Sequence, residues 1–218
     1  FEWYFDGSDV ELSGSSEYID AIAFAPDGRL LISTEGSFNA GGVKGNDEDL
    51  MVFSKTSLGA TTAGAWALYF DGSRVALTKG DEDVDAAWVK SNGDIYLSTK
   101  GKFTATGSMN ALSGDKNDVF ICKPLATGAA TDCTFAAFFD GDAVRFKYDV
   151  DDVALVASNQ LAPFSVAAAA AEEAEGEQYA VGIADEQSDL AVDEELTELD
   201  LDRDETLIQK LFIPFASK

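Results

Sequence analysis

Trp66-Ala67-Leu68-Tyr69-Phe70-Asp71-Gly72-Ser73 (WALYFDGS) is an aromatic run ending in Asp-Gly, and the chain spells it three times. WYFDGS occupies Trp3 to Ser8, and FAAFFDGD occupies Phe135 to Asp142. The Asp-Gly pairs begin at Asp6, Asp71 and Asp140, which are 65 and 69 residues apart. The sequence between them recurs as well. IDAIAFAPDGRLLISTEGSF (19–38) lies over VDAAWVKSNGDIYLSTKGKF (84–103) without a gap. GNDEDLMVF (45–53) lies over GDKNDVFIC (114–122) after a short insertion. The chain is an internal duplication with the start of a third copy, in which Asp149-Val150-Asp151 aligns with Asp83-Val84-Asp85.

Each unit reads as strands. Apolar alternation over 21–25 breaks at Pro26-Asp27-Gly28 and resumes over 29–34, which predicts a hairpin with glycine where the chain needs a positive φ. Ser91-Asn92-Gly93 serves the same turn in the second copy. Residues 50–54 and 119–122 supply a further strand, and the aromatic run supplies another. The predicted fold class is all-β, with propeller-like or stacked four-stranded units of about 65–69 residues and an acidic C-terminal extension. Long loops are expected over 38–47 and 103–118. The aromatics are expected to form a repeated core layer rather than a ligand platform. Two full copies are few for a closed propeller. The remedy is an open stack capped by the C-terminal segment, a larger parent chain, or subunits that complete one another.

Residues 1 to about 155 resemble a family of exported bacterial β-propeller-like repeat proteins. Its units follow W-x-L-Y-F-D-G-S-D-V, D-I-D-A, D-G-x-L-Y-L-S-T-x-G and D-E-D. The matching residues are Trp66 to Val75, Val84 to Ala86, Gly93 to Gly101 and Asp47 to Asp49. Copy one departs at Trp3-Tyr4-Phe5, and copy two departs at Asp115-Lys116-Asn117-Asp118, where an acid has become lysine. The resemblance implies repeat architecture and export, and it brings no reaction with it.

Charge narrows the partners. Forty Asp and Glu face 15 Lys and Arg, giving a net charge of -25 and no histidine. Such a field repels phosphates and anionic headgroups and attracts divalent cations and basic proteins, so nucleic acid is excluded as a partner. Without histidine there is no Ser-His-Asp triad, no His-ligated zinc and no histidine pH switch. No run approaches the ~18–20 apolar residues of a transmembrane helix, which leaves only peripheral association with a membrane complex. The chain opens at Phe1 with neither an initiator methionine nor a signal-peptide pattern, as in a processed protein or a fragment.

Cys122 takes the repeat position of Phe53, and Cys133 takes that of Gly64 just before the aromatic run. Either they form a disulfide that staples the linker between copies two and three, or they are two buried thiols. The disulfide reading places the protein in an oxidising, extracytoplasmic compartment, periplasmic or secreted.

The texture changes near residue 160, which divides a repeat domain (1–160) from an extension (161–218). Residues 165–177 are Ala/Glu-rich, and 178–184 are weakly strand-like. Residues 185–205 are acidic and read as extended in solvent or laid against positive charge. The last stretch carries Leu207, Leu211, Phe212, Ile213 and Phe215, an apolar tail expected to cap the repeat domain or dock on a partner.

Acidic clusters are the only candidates for chemistry. Asp47 and Asp49, then Asp81, Asp83 and Asp85, then Asp149 and Asp151 place several oxygens in short loops, as Ca2+ requires. None fits the twelve-residue EF-hand loop, and turn capping explains the same residues. No P-loop, G-x-S-x-G or G-x-G-x-x-G signature is present. The expected function is a non-catalytic structural or assembly subunit that scaffolds protein–protein interaction or self-associates through sheet edges or the tail. The alternatives are a calcium-stabilised surface or carbohydrate-binding module and, more remotely, a carboxylate-dependent hydrolase.

Overall fold

The computed structural model describes residues 1–156, together with the backbone of a strand at 210–212. The described residues 1–155 belong to one compact unit. The expectations for residues 161–209 and for the tail side chains Leu207, Leu211, Phe212, Ile213 and Phe215 lie outside the described residues.

In chain order the first copy forms β1 (Ile19–Phe24), β2 (Leu30–Thr34), β3 (Phe38–Ala40), β4 (Val43–Gly45), β5 (Leu50–Ser57) and β6 (Ala63–Phe70). The second forms β7 (Ala86–Val89), β8 (Ile95–Ser98), β9 (Phe103–Thr106), β10 (Ala111–Gly114), β11 (Val119–Ala126) and β12 (Asp132–Phe139). Strands β1-β2-β5-β6 make one four-stranded sheet, and β7-β8-β11-β12 make the other. Every pairing in the two is antiparallel. The third copy contributes β13 (Ala154–Val156), which pairs with β14 (Lys210–Phe212).

The turns follow the sequence reading. Phe24 pairs with Leu30 across Pro26-Asp27-Gly28, where Gly28 has φ +80°, and Gly93 has φ +92° at the matching turn. Both angles lie in the left-handed region that L side chains avoid.

The loops expected at 38–47 and 103–118 are instead small hairpins, β3–β4 and β9–β10. Gly41 and Gly42, at φ +57° and +80°, make the first of these turns. That is the geometry of a two-residue primed turn, which Gly-Gly satisfies without strain.

Period-two alternation gives each sheet two apolar faces. Ala21, Ala23, Ala25, Leu31 and Val52 on sheet one share a core with Ala87, Val89, Ile95, Leu97 and Phe120 on sheet two. Small alanines let β1 and β7 lie next to each other. The other face of sheet one carries Ile32, Met51, Phe53 and Trp66, covered by Val10 and Leu12. The other face of sheet two carries Ala86, Tyr96 and Ile121, covered by Val150, Val153 and Leu155. Each large side chain buried this way contributes about 1.5–3 kcal/mol.

Trp66 and Phe70 are buried, as the core-layer reading expects, whereas Trp3 and Tyr4 of the first copy are exposed. Asp-Gly recurs for reasons of its own. Asp6 and Asp71 each cap a one-turn 3-10 helix, and Asp140 accepts from the Ala143 N–H. A Cβ at Gly72 would come within 2.4 Å of the Glu48 carbonyl oxygen, and one at Gly141 within 2.4 Å of the Asn117 carbonyl oxygen. At Asp71-Gly72 and Asp140-Gly141 the signature thus marks an aspartate that accepts from the following turn and a glycine at a close backbone approach, whereas Gly7 faces only the side chains of Leu12 and Phe5.

Cys122 and Cys133 form a disulfide with Cα atoms 5.2 Å apart. It joins β11 to β12 inside sheet two and is fully buried between the sheets, so it does not staple the linker to the third copy. Among the described residues, no helix is long and apolar enough to cross a membrane.

Candidate functional site

The S-T-x-G segments, Ser33 to Gly36 and Ser98 to Gly101, position the acidic loops. The Ser33 hydroxyl donates to the carbonyls of Asp47 and Asp49, both at 3.1 Å. The Ser98 hydroxyl donates in the same way to Lys116 and Asp118. Thr34 and Thr99 close the following turns by donating to the carbonyls of Gly36 and Gly101.

The next unit then docks on the loop. Val84 N–H donates to the Asp47 carbonyl, and Val150 N–H donates to that of Lys116, each at 3.1 Å. Val84 and Val150 are fully buried. The aspartates flanking each valine, 83 and 85 and then 149 and 151, are thereby held at the junction between one unit and the next. Asp20 arrives from a bulge in β1 that falls between the pairs Ile19–Thr34 and Ala21–Ser33, a local irregularity that re-aims a side chain.

Two carboxylate centres result. In the first, Asp83 lies among Asp20 and Asp47, and Lys100 approaches its Oδ2 at 3.5 Å. In the second, Asp85, Asp149 and Asp151 each offer an oxygen within 4.8 Å of the others. Lys116 reaches Asp149 Oδ2 at 3.9 Å. Asp83 also acts on Asp85, so the two centres are electrostatically continuous.

The electrostatics follow from desolvation compounded by like charge. Burial, with Asp83 next to it, pushes Asp20 up to about 8. Burial and the charges of Asp149, Asp151 and Asp83 push Asp85 to about 8. Asp83 is raised to about 6 by burial and Asp47, with Lys100 pulling the other way. Asp149 is raised by burial despite Lys116. Lys100 is raised in turn, chiefly by Asp83.

Five buried side-chain oxygens among the described residues lack a hydrogen-bond partner, and all belong to this group: both of Asp20 and the Oδ1 atoms of Asp83, Asp85 and Asp149. Elsewhere the buried acids are satisfied. Asp49 accepts from the N–H groups of Asn46 (2.9 Å) and Gly72 (2.8 Å), and Asp118 accepts from those of Asp115 and Gly141.

The candidates from the sequence therefore divide. Asp83, Asp85, Asp149 and Asp151 come together, with Asp47 at the margin of the first centre. Asp49 is a loop clamp, its carboxyl raised to about 6 by burial. Asp81 is exposed and stands outside both centres.

Glu17 and Glu82, the second of them an acid of the 81–85 run, are clamps of the same kind as Asp49. Glu17 accepts from the N–H groups of Ser13, Gly14 and Asn39, and those bonds, Asn39 foremost, lower its pKa. Glu82 accepts from Thr78, Lys79 and Thr104. Burial opposes its ionisation, but those donors and the Lys79 ammonium outweigh it. Their shared repeat position was the available signal.

No family model matches the chain, and neither a curated protein nor a solved structure matches it. The geometry alone carries the functional argument.

Proposed function

We propose that the chain is a non-catalytic assembly module working outside the cytoplasm, built as a propeller-like radial array of sheets that stack on further sheets of the same kind. One repeat position carries this reading. Ala87 and Val89 are 2% and 7% exposed against sheet one, and Val153 and Leu155, their third-copy equivalents, are 2% and 6% exposed against sheet two. Ile22 and Phe24, the first-copy equivalents, are 55% and 47% exposed. A position covered by the preceding unit in copies two and three is thus open in copy one.

The radial reading draws on an open cleft of ≈ 520 Å³ that β1, β7 and the segment around β13 line together, with Ile22, Phe24, Trp88 and Val153 on its walls. Burial of Trp66 favours packing over ligand capture by that ring. The extracytoplasmic setting is supported by the Cys122–Cys133 bond, since reducing compartments keep thiols free.

A second copy is the simplest source of the missing neighbour, because a face–face contact between unlike ends of one chain generates rings or stacks. Sedimentation of the intact, non-reduced chain over a concentration series tests this. Concentration-dependent self-association that Ile22→Asp with Phe24→Asp abolishes is expected. A monomer at every concentration would overturn the assembly reading.

A further inference from the structure

We propose that Asp85, Asp149 and Asp151 bind a hard divalent cation, Ca2+, which ties the entry of β7 to the segment leading into β13.

The first observation is the convergence of charge. Three carboxylates from two distant segments present oxygens within 4.8 Å of one another. Like charges at that range repel strongly unless something neutral or positive intervenes. The protein's own countercharge is modest: Lys116 sits 3.9 Å from Asp149 Oδ2, and its side chain is 44% exposed.

The second observation is independent of the count of acids. Asp83 is only 2% exposed, and Lys100 engages its Oδ2, which leaves Oδ1 without a partner beside Asp20, Asp47 and Asp85. Asp85 Oδ1 and Asp149 Oδ1 are likewise buried and unpartnered. The fold satisfies Asp49, Asp118, Glu17 and Glu82 with donors from several backbone positions, whereas Asp85 and Asp149 meet only their own or the adjoining N–H and their Oδ1 atoms are left unmet. Buried acceptors without donors are costly, and a cation satisfies several at once.

The donor set chooses the ion. It is oxygen only, the chain has no histidine, and both cysteines are bonded to each other. Soft-ligand metals therefore have no ligand of their preference, whereas Ca2+ takes six to eight oxygens in flexible geometry, with water completing the shell. This inference does not depend on self-association, because all three ligands belong to one chain.

The test is a calorimetric CaCl2 titration of the intact, chelator-stripped, non-reduced protein at constant ionic strength, paired with thermal melts. Saturable binding with a raised Tm is expected. Asp151→Asn, at an exposed position that leaves the core untouched, should weaken binding by about tenfold or more, since ligand charge sets Ca2+ affinity. Its metal-free Tm should not fall, since the substitution removes one of three mutually repelling charges. Asp149→Asn with Asp151→Asn should abolish the Ca2+-dependent rise in Tm, and Asp81→Asn, outside the cluster, should keep it. A Tm that responds to CaCl2 no more than to ionic strength, or equal affinity in wild type and Asp151→Asn, would overturn the proposal.

Discussion

Sheets one and two solve the same packing problem differently at one repeat position. In sheet one the Phe53 ring lies over Gly64, so close that a Cβ there would come within 2.5 Å of the ring edge. In sheet two those positions are Cys122 and Cys133, and a covalent bond replaces the ring-on-glycine contact. Sheet one thus fills the space between its outer strands with apolar volume, and sheet two fills it with a crosslink that also constrains the unfolded chain. A repeat conserves a requirement, here closure of the outer hairpin, and leaves the chemistry that meets it free.

The largest effect expected from breaking this comparison is Phe53→Ala, which removes a fully buried ring and should cost about 3–5 kcal/mol by denaturant unfolding. Cys122→Ala with Cys133→Ala should cost about 2–5 kcal/mol, the usual result of removing a native disulfide. Equal melts for this variant and wild type would mean that the crosslink adds nothing to sheet two.

Next come the clamps. Asp49→Ala and Asp118→Ala each strip acceptors from two backbone N–H groups, and each should cost about 1–3 kcal/mol. A loss confined to one of them would show that the two loops are not equivalent in energy.

The pH dependence sharpens the contrast between clamps and centres. Asp20 and Asp85 titrate near 8 in the folded chain and in the ordinary carboxyl range when unfolded. The folded state therefore holds more protons between about pH 4 and 8, and its stability falls as pH rises through that window. Melts in chelator across this range should show the decline, and Asp20→Asn with Asp85→Asn should flatten it. A metal-free Tm that climbs steadily from pH 5 to 8 would contradict the burial of these carboxyls.

The smallest effect belongs to the surface turn. Arg29→Ala removes an exposed ion pair with Asp27 and should shift stability by under about 1 kcal/mol.

Much of this was legible beforehand. The Asp-Gly signature fixes the period, and Gly28 and Gly93 locate turns because no other residue takes those φ angles without strain. The hairpins β3–β4 and β9–β10 do not show in the sequence because their strands are only three or four residues long, too short for alternation to register. Gly41-Gly42 was the overlooked cue.

The acids were harder. Asp49 and Asp85 look alike in sequence, yet one meets two N–H groups and the other meets carboxylates, a distinction made by residues far along the chain. For the cysteines, spacing set the loop that a bond closes but not the sheet it belongs to. Strand pairing, with Cys122 opposite Phe135 and Cys133 opposite Pro124, decides that.

Thr62 and Thr131 sit at the outer hairpins and accept from the N–H groups of Asp6 and Asp71, 56 and 60 residues earlier. Each sheet is thereby latched to the end of the aromatic run that precedes it. Closing such a latch brings together residues that lie 56 and 60 positions apart and costs loop entropy that local contacts do not offset. During synthesis, Asp71 waits for an entire further unit before its partner emerges. Each latch therefore fastens the outer hairpin of a unit to the chain that emerged one unit earlier.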